Sequence, residues 1–154
     1  MSMADFGKED DPMAQQLLRT DLANAADSGL DNHDENQVAQ VATEAYARIV
    51  EAWKLDDSVA REMISVDPRT WMQIKNGTWS GSLDQEQLMR ISAVIGLYDA
   101  LHSYFNDDLA DRWVTMPNKG PMFSGRKPVD IMSDGGLPMM IKTRHYADAL
   151  LGGV

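Results

Sequence analysis

Residues that could support catalysis or bind a metal ion are few and scattered in this chain of 154 residues. Its three histidines, His33, His102 and His145, lie far apart, and none has a partner at the spacing of metal ligands. Cysteine is absent, which excludes disulfides and thiolate metal sites. The serine elbow, the H-E-x-x-H pair and the calcium-loop pattern are absent as well. The sequence therefore predicts no enzyme, no cofactor and no metal ion.

Adjacent aspartates occur three times, at residues 10–11, 56–57 and 107–108. Paired carboxylates can perform acid–base chemistry. Here the first pair lies in an acidic N-terminal stretch, and the other two lie where helices are expected to begin. The helix dipole favours carboxylates at that position, so capping is a sufficient explanation for them.

One segment has the glycine spacing of a phosphate-binding loop. Gly120–Lys127 reads G-P-M-F-S-G-R-K, but Arg126 replaces the required lysine, the hydroxyl that binds Mg²⁺ is missing, and no predicted strand precedes it. The alternative is structural: the glycines allow positive φ, Phe123 fills the core and Pro128 begins the next helix. Arg126 would then pair with a carboxylate such as Asp130.

A second candidate is a helix–turn–helix between Asp57 and Gly77. Two short helices joined by S-V-D match the size of this motif, whose second helix enters the major groove of DNA. Trp71 and Ile74 would face the core. The outward side chains suit contacts to bases and phosphates, and they are Arg69, Thr70, Gln73, Lys75 and Asn76. An ordinary pair of antiparallel helices with a polar face is the alternative.

The elements that must position these residues are all helical. Apolar residues recur at helical spacing, and no stretch alternates with period two for long enough to predict a strand. The first predicted helix begins near Asn36. The apolar residues of the longest one, Leu83–Phe105, lie on one side. The others cover Val59–Ser65, Pro68–Asn76, a segment from 107 to 113, Pro128–Ser133 and Pro138–Leu151. The last carries an apolar stripe of Ile141, His145 or Tyr146, Ala149 and Leu150. We therefore expect an all-α fold.

Charge is distributed unevenly along the chain. The net charge is -10, and residues 1–35 hold nine acids against two bases. A strongly acidic chain disfavours DNA, because lysine and arginine supply most non-specific affinity for phosphates. With the acidic arm set aside, the remainder is close enough to neutral for one basic face. No apolar run is long enough for a membrane span, and with no cysteine and no signal pattern we expect a cytoplasmic protein.

The segment from Trp113 to Val154 combines dense glycine and proline with regularly spaced apolar residues. Three of its pieces read P-N-x-G-P-x-F-x-G-R-x-P-x-D-x-M, G-G-L-P-x-M and R-x-Y-x-D-A-L-x-G-G. They closely resemble the toxin-binding region of the Xre/MbcA/ParS-type antitoxins. The pattern W-K-L followed by M-I-S-V-D-P-R-T-W is similar to the Xre-type helix–turn–helix of that family. The resemblance extends from Tyr46 to Gly153.

The resemblance implies an Xre-like helical body followed by a small, turn-rich toxin-binding domain. It implies a helix–turn–helix domain at 36–106 and a toxin-binding domain at 107–154, and it leaves the acidic arm at 1–35 unexplained. The implied partners are a cognate toxin, most often of the RES type that attacks NAD⁺, and operator DNA. Because the recognition helix carries few bases, strong binding to DNA would also need a homodimer. The implied toxin-binding residues are Asn118, Phe123, Arg126, Arg144, Tyr146, Leu150, Gly152, Gly153 and Val154. Some motif positions, among them Phe123, Gly125 and Pro128, would matter for folding and not for contact.

Two other functions are compatible with the same residues. One is a stand-alone helix–turn–helix regulator without a toxin. The other is a toxin-binding module without DNA binding, which the acidic charge balance would suit.

Overall fold

Residues 32–152 are described in a computed structural model, and within this range the chain forms six α-helices and no β-strand. In chain order these are α1 (Asn32–Trp53), α2 (Asp57–Ile64), α3 (Pro68–Asn76), α4 (Gln85–Tyr104), α5 (Asp107–Arg112) and α6 (Pro128–Leu151), with a 3₁₀ turn at Trp113–Thr115. The all-α fold expected from the sequence is confirmed. None of the helices within residues 32–152 is long and apolar enough to cross a lipid bilayer.

The start of α1 requires a correction. The helix begins at Asn32, so Asn36 lies in its second turn and is not its cap. The last residues of the predicted arm, 32–35, are therefore helical. Asp34 and Glu35 in the first turn suit the positive end of the helix dipole. The rest of the predicted arm, residues 1–31, lies outside the described residues.

The chain divides into two compact units between residues 92 and 93. In the first unit, the rings of Tyr46 in α1 and Trp71 in α3 meet edge to face, with their centroids 5.8 Å apart. The Tyr46 hydroxyl donates a 2.7 Å hydrogen bond to the Ala60 carbonyl of α2. Burial raises the pKa of Tyr46, so this hydroxyl stays a donor. One residue of α1 thus contacts both helices of the predicted helix–turn–helix.

Burial covers most of the circumference of α4 in its central part. From Ile91 to Leu101 only Ser92 and Asp99, which share one face, are not buried. The apolar side expected from the sequence is buried from Leu88 to Leu101, but the buried surface is wider than expected, because Leu97 and the small residues are buried too. A helix that is apolar over most of its surface belongs in the interior. The division between the units falls inside this helix, and the functional boundary predicted after residue 106 stays a prediction.

Three aromatic rings form the centre of the second unit, and we refer to Trp113, Phe123 and Tyr146 as the aromatic trio. Phe123 is fully buried. Its ring meets Trp113 and Tyr146 edge to face at centroid distances of 5.7 Å and 5.2 Å, and the rings of Trp113 and Tyr146 stack at 6.2 Å. The trio therefore ties together the 3₁₀ turn, the loop before α6 and α6 itself.

A kink divides α6 where the sequence predicted two helices. Gly136 has φ 67° and ψ -155°, which is not helical. Such backbone angles are essentially restricted to glycine. Pro138 lies in the first turn after the kink, where the N–H that proline lacks has no intrahelical partner to lose. The predicted break between Ser133 and Pro138 is confirmed.

The trio gives a direct prediction for stability. Phe123→Ala should lower the free energy of unfolding by about 3–5 kcal/mol, because it removes a fully buried ring and leaves a cavity. Met116→Ala, at a side chain that is 40% exposed, should change it by less than about 0.5 kcal/mol. Urea unfolding followed by circular dichroism measures both values. Equal effects of the two substitutions would contradict the central place of Phe123.

Candidate functional site

The α2–α3 pair has the geometry of a compact helix–turn–helix. Three residues connect the end of α2 to the start of α3. Ser65 adopts the left-handed conformation with φ 59° and ends α2. Asp67 then caps α3, since its Oδ1 accepts a 2.8 Å hydrogen bond from the Thr70 backbone N–H. A turn of roughly three to four residues is typical of the DNA-binding motif.

Side chains at the start of α4 hold the end of α2. Asp84 and Gln87 cap each other reciprocally, with backbone N–H to side-chain distances of 2.9 Å and 2.8 Å. Gln87 Nε2 donates a 2.8 Å hydrogen bond to the Ser65 carbonyl, and Arg90 Nη1 donates one of 3.3 Å to the Met63 carbonyl. Carbonyls at a helix C-terminus lack intrahelical donors. The orientation of the turn is therefore fixed by α4.

The five side chains predicted to contact DNA are all at least partly accessible. Those of Arg69, Lys75 and Asn76 are exposed, and those of Thr70 and Gln73 are half-buried. Trp71 and Ile74 are buried, as predicted. The side chains of Arg69 and Asn76 make no hydrogen bond or ion pair with any other residue of the range 32–152. Their donors are therefore available to a ligand.

Two of the five side chains, Thr70 and Lys75, make contacts with other residues of the chain. The Thr70 hydroxyl donates a 2.9 Å hydrogen bond to Asp67 Oδ2, so it takes part in capping. Lys75 Nζ lies 3.0 Å from Asp57 Oδ1. The same oxygen accepts a 2.9 Å hydrogen bond from Trp71 Nε1. Capping therefore does not explain Asp57, which ties α2 to α3.

These contacts affect the two carboxylates. The hydrogen bond from Trp71, followed by the contact with Lys75, lowers the pKa of Asp57 below its ordinary value of 3.8. The backbone and hydroxyl hydrogen bonds from Thr70 lower the pKa of Asp67 in the same way. Both groups are therefore carboxylates at neutral pH, and both stabilise the turn in that form.

The helix pair is not strongly basic. Residues 56–77 contain four acids and three bases, and Lys75 is paired with Asp57. A groove of about 490 Å³ lies beside the end of α3, and Arg48, Lys54, Lys75 and Asn76 contribute to its lining. Phosphate contacts supply most non-specific affinity for DNA. One copy of this surface offers few such contacts, so tight binding would need two copies on adjacent half-sites.

The loop before α6 is closed by its own backbone. Asn118 N–H donates to the Arg126 carbonyl at 3.1 Å, and Gly125 N–H donates to the Asn118 carbonyl at 2.7 Å. Ser124 and Gly125 have positive φ values of 50° and 86°. Six of the eight amide N–H groups in residues 118–126 donate inside the loop. A phosphate-binding loop needs these groups for its ligand, so the structural alternative is supported.

Two predicted toxin-binding residues shape this loop. Asn118 Oδ1 accepts a 2.8 Å hydrogen bond from Gly120 N–H, and Phe123 is fully buried. Phe123 therefore presents no contact surface, whereas the side chain of Asn118 is half-buried. Arg126 is half-exposed and pairs with Asp134. This pair corrects the expected partner Asp130, which lies one helical turn earlier in α6.

The buried stripe of α6 differs from the predicted one. Met140, Thr143 and Ala147 are buried, whereas Ile141, Ala149 and Leu150 are half-buried and His145 is exposed. Thr143 is compatible with burial because its hydroxyl donates a 2.7 Å hydrogen bond to the Met139 carbonyl. The predicted stripe is therefore wrong, because the buried face of α6 points in a different direction around the helix axis.

The remaining predicted toxin-binding residues all belong to the second half of α6 and its end. Tyr146 is half-buried in the aromatic trio, Arg144 is half-buried on another flank of the helix, and Gly152 is exposed. Successive residues rotate by about 100°, so Arg144 and Tyr146 project about 160° apart. Gly153 and Val154 lie outside the described residues.

One polar cluster was missed by the sequence analysis. His102 lies between two carboxylates, with Nδ1 3.0 Å from Asp107 Oδ1 and Nε2 2.7 Å from Asp111 Oδ1, and its ring packs on Tyr98 with a centroid distance of 4.1 Å. Asp107 was expected to cap α5, but Asn106 does so by accepting a 3.0 Å hydrogen bond from Leu109 N–H. The sequence signal for this cluster was Asn106 directly before Asp107 and Asp108. Because asparagine can cap the helix, the aspartates are left for other contacts. The cluster joins α4 to α5.

No group of three or more potential ligand residues within residues 32–152 is arranged to hold a metal ion. Comparisons of the chain with protein-family models, curated proteins and solved structures gave no match. The assignment of function therefore rests on the residues themselves.

The Asp57 contacts predict a dependence of stability on pH. A carboxylate whose folded pKa is lowered stabilises the fold above its unfolded pKa, and this stabilisation is lost as the pH falls through the folded pKa. Asp57→Asn should therefore be less stable than the unmodified chain at pH 7, and the difference should shrink below about pH 4. Urea unfolding at several pH values measures this.

Asp56→Asn is the matched control, because Asp56 makes no side-chain capping hydrogen bond. It should show a smaller difference at pH 7. An Asp57→Asn deficit that persists unchanged at about pH 2.5 would contradict the role of the Asp57 charge.

Proposed function

We propose that this chain is an antitoxin that binds a cognate toxin through residues 107–154 and represses its own operon through the α2–α3 pair. The resemblance to the Xre/MbcA/ParS-type antitoxins implies a toxin of RES type, which degrades NAD⁺ or uses it for ADP-ribosyl transfer. The observation that carries the proposal is the seating of the turn-rich C-terminal segment by the aromatic trio. A surface with one fixed shape binds a partner at a low cost in conformational entropy.

The end of α6 supports a steric mechanism of inhibition. Beyond the aromatic trio the helix continues for about one turn, with Leu150 half-buried and Gly152 exposed. Gly153 and Val154 follow in the sequence. Because glycine has no side chain, Gly152 and Gly153 could enter a cleft with little steric conflict. In this mechanism the terminal residues occupy the cleft that otherwise receives the substrate of the toxin.

Charge complementarity supports the same arrangement. A cleft that accepts an anionic dinucleotide must be basic. Asp130 and Asp148 on α6 are exposed. Complementary charges accelerate association and orient the partners. We therefore assign these acids to the rim of the interface.

Repression of the operon is supported by the α2–turn–α3 geometry and by the exposed side chains of α3. Arg69 and Asn76 have the donors to contact guanine and adenine edges. Gln73, which lies between them in the sequence and is half-buried, is the third candidate. Thr70 and Lys75 act indirectly, because they hold α3 in place. A homodimer would place two such helices on half-sites about 34–36 Å apart.

A second candidate function is favoured by the charge of the helix pair. Four acids against three bases in residues 56–77 suit a toxin-binding module that does not bind DNA. In that case charge reversal at Arg69 and Lys75 would leave promoter repression intact. A stand-alone regulator without a toxin is the third candidate, and it would bind its own promoter strongly as the isolated chain.

Truncation tests the toxin-binding function. Removing residues 150–154 spares the aromatic trio and should abolish the rescue of cells that express the toxin encoded beside this chain. The expected reason is that the terminal residues no longer occupy the cleft. Growth under co-expression measures rescue, and a mobility shift with the chain's own promoter should be unchanged. His145→Ala, at an exposed residue, is the control and should still rescue; a truncated chain that neutralises the toxin would refute the steric mechanism.

Substitution of Arg69 or Asn76 tests the DNA-binding function. Either change to alanine should weaken binding to the promoter by about 1–3 kcal/mol, because each removes a contact to a base edge. A mobility-shift titration at fixed salt measures the affinity. Arg112→Ala in α5 is the control, since this arginine pairs with Asp108. Unchanged affinity in both α3 variants would favour the module without DNA binding.

A further inference from the structure

Gly96 lies in the middle of α4, where glycine is unfavourable. It is buried and its φ is not positive. Glycine in a helix interior is less favourable than alanine because it loses more backbone entropy on folding. No turn or left-handed conformation requires it at this position. We therefore attribute the glycine to a neighbouring group that occupies the position where a β-carbon would lie.

That space is filled by Arg144 of α6. A β-carbon added at Gly96 would lie 2.8 Å from Nη1 of Arg144 and would overlap Cζ and Nε even more closely. Within one unit of the chain, the guanidinium therefore occupies the space that a β-carbon at Gly96 would need. Real β-carbons do not approach other heavy atoms this closely, so any larger residue at Gly96 must displace the arginine.

Arg144 uses few of its donors inside the fold. Its side chain is 31% exposed, and its closest carboxylate contact is from Nε to Asp148 Oδ2 at 3.8 Å. Within residues 32–152 the guanidinium makes no hydrogen bond. A guanidinium carries five N–H donors in a planar fork. Because the side chain is partly exposed, these donors can be hydrated in the free chain and are accessible to an acceptor group of a partner.

We propose that Arg144 is the anchor that binds a carboxylate of the toxin, and that Gly96 is the positioning residue that seats it. This proposal rests on the proposed antitoxin function. Because Asp148 faces Nε, the Nη atoms are left for a bidentate contact. The seat restricts the arginine before the toxin arrives, so less rotamer entropy is lost on binding.

The neighbouring acid argues for a carboxylate and against a phosphate monoester. Asp148 is half-exposed beside the guanidinium and repels any anion that approaches Arg144. The repulsion is larger for a phosphate monoester, which carries nearly two charges, than for a singly charged carboxylate. A phosphate of a nucleic-acid backbone is singly charged like a carboxylate, so promoter affinity measured with Arg144→Ala distinguishes these two partners.

The seat is tested by thermal unfolding of four full-length chains: the unmodified chain, Gly96→Ala, Arg144→Ala and the double variant. Gly96→Ala should displace the guanidinium, which is the flexible end of its side chain, so the change in Tm is the balance between this displacement and the better helix propensity of alanine. The same substitution should therefore raise the Tm by more in the Arg144→Ala background, where no guanidinium has to move. Equal changes in Tm in the two backgrounds would overturn the positioning role.

The anchor is tested with the same chains by titration against the toxin encoded beside this chain. Arg144→Ala and the double variant should both weaken binding at least about tenfold. The double variant separates binding from stability, because its Tm is known from the same series while its anchor is missing. Arg144→Lys, which keeps the charge but loses the planar fork, should recover only part of the affinity. Toxin binding by the double variant that equals the unmodified chain would overturn the anchor.

The controls separate this proposal from the proposed function. If the unmodified chain does not bind the toxin, the antitoxin function fails and the anchor fails with it, while the Tm series still decides whether Gly96 seats Arg144. If the unmodified chain binds and the double variant binds equally well, only the anchor fails. Promoter affinity measured with Arg144→Ala tests the alternative ligand, a phosphate of DNA. A loss there, with toxin binding intact, would assign Arg144 to a DNA phosphate and overturn the proposal.

Discussion

Mutual packing of Trp113, Phe123 and Tyr146 is the constraint on which the C-terminal unit depends. Each ring comes from a different segment, and each segment alone is short or rich in glycine and proline. The 3₁₀ turn and the loop before α6 could not hold a shape by secondary structure alone, because neither makes a long run of helical hydrogen bonds. Contacts between the rings supply the missing stabilisation and place the second half of α6. The order of the candidate toxin surface therefore depends on the packing of these three rings.

Local signals in the sequence predicted most of the helical architecture. Asp67 before Pro68, Gly77 after α3 and the glycines before Pro138 act through their own backbone or through residues up to a turn away. Their effects can therefore be read from the sequence. The buried surface expected for α4 was too narrow for a different reason. Alanine and glycine carry little apolar surface, so a pattern of large apolar residues does not reveal that they are buried as well.

The candidate sites were predictable only in part, because several of their contacts join residues far apart in sequence. Asp57 and Trp71 are separated by 14 positions, and nothing in the local pattern distinguishes this aspartate from an ordinary helix cap. The same holds for Gly96 and Arg144, which meet only once α4 and α6 have packed. The outward direction of Arg69 and Asn76 was predictable, because the opposite side of α3 carries two large apolar residues. The engagement of Thr70 and Lys75 within the fold was not.

The loop from residue 118 to residue 126 directs most of its amide hydrogens toward its own carbonyl and side-chain oxygens. Amide hydrogens that are bonded inside the loop are not available to a phosphate or a nucleotide. Under the proposed function, occupancy of this end of the molecule follows from the concentration of the toxin and its affinity, by mass action. In that proposal the C-terminal unit responds to the abundance of another protein and not to a phosphate ligand of this loop.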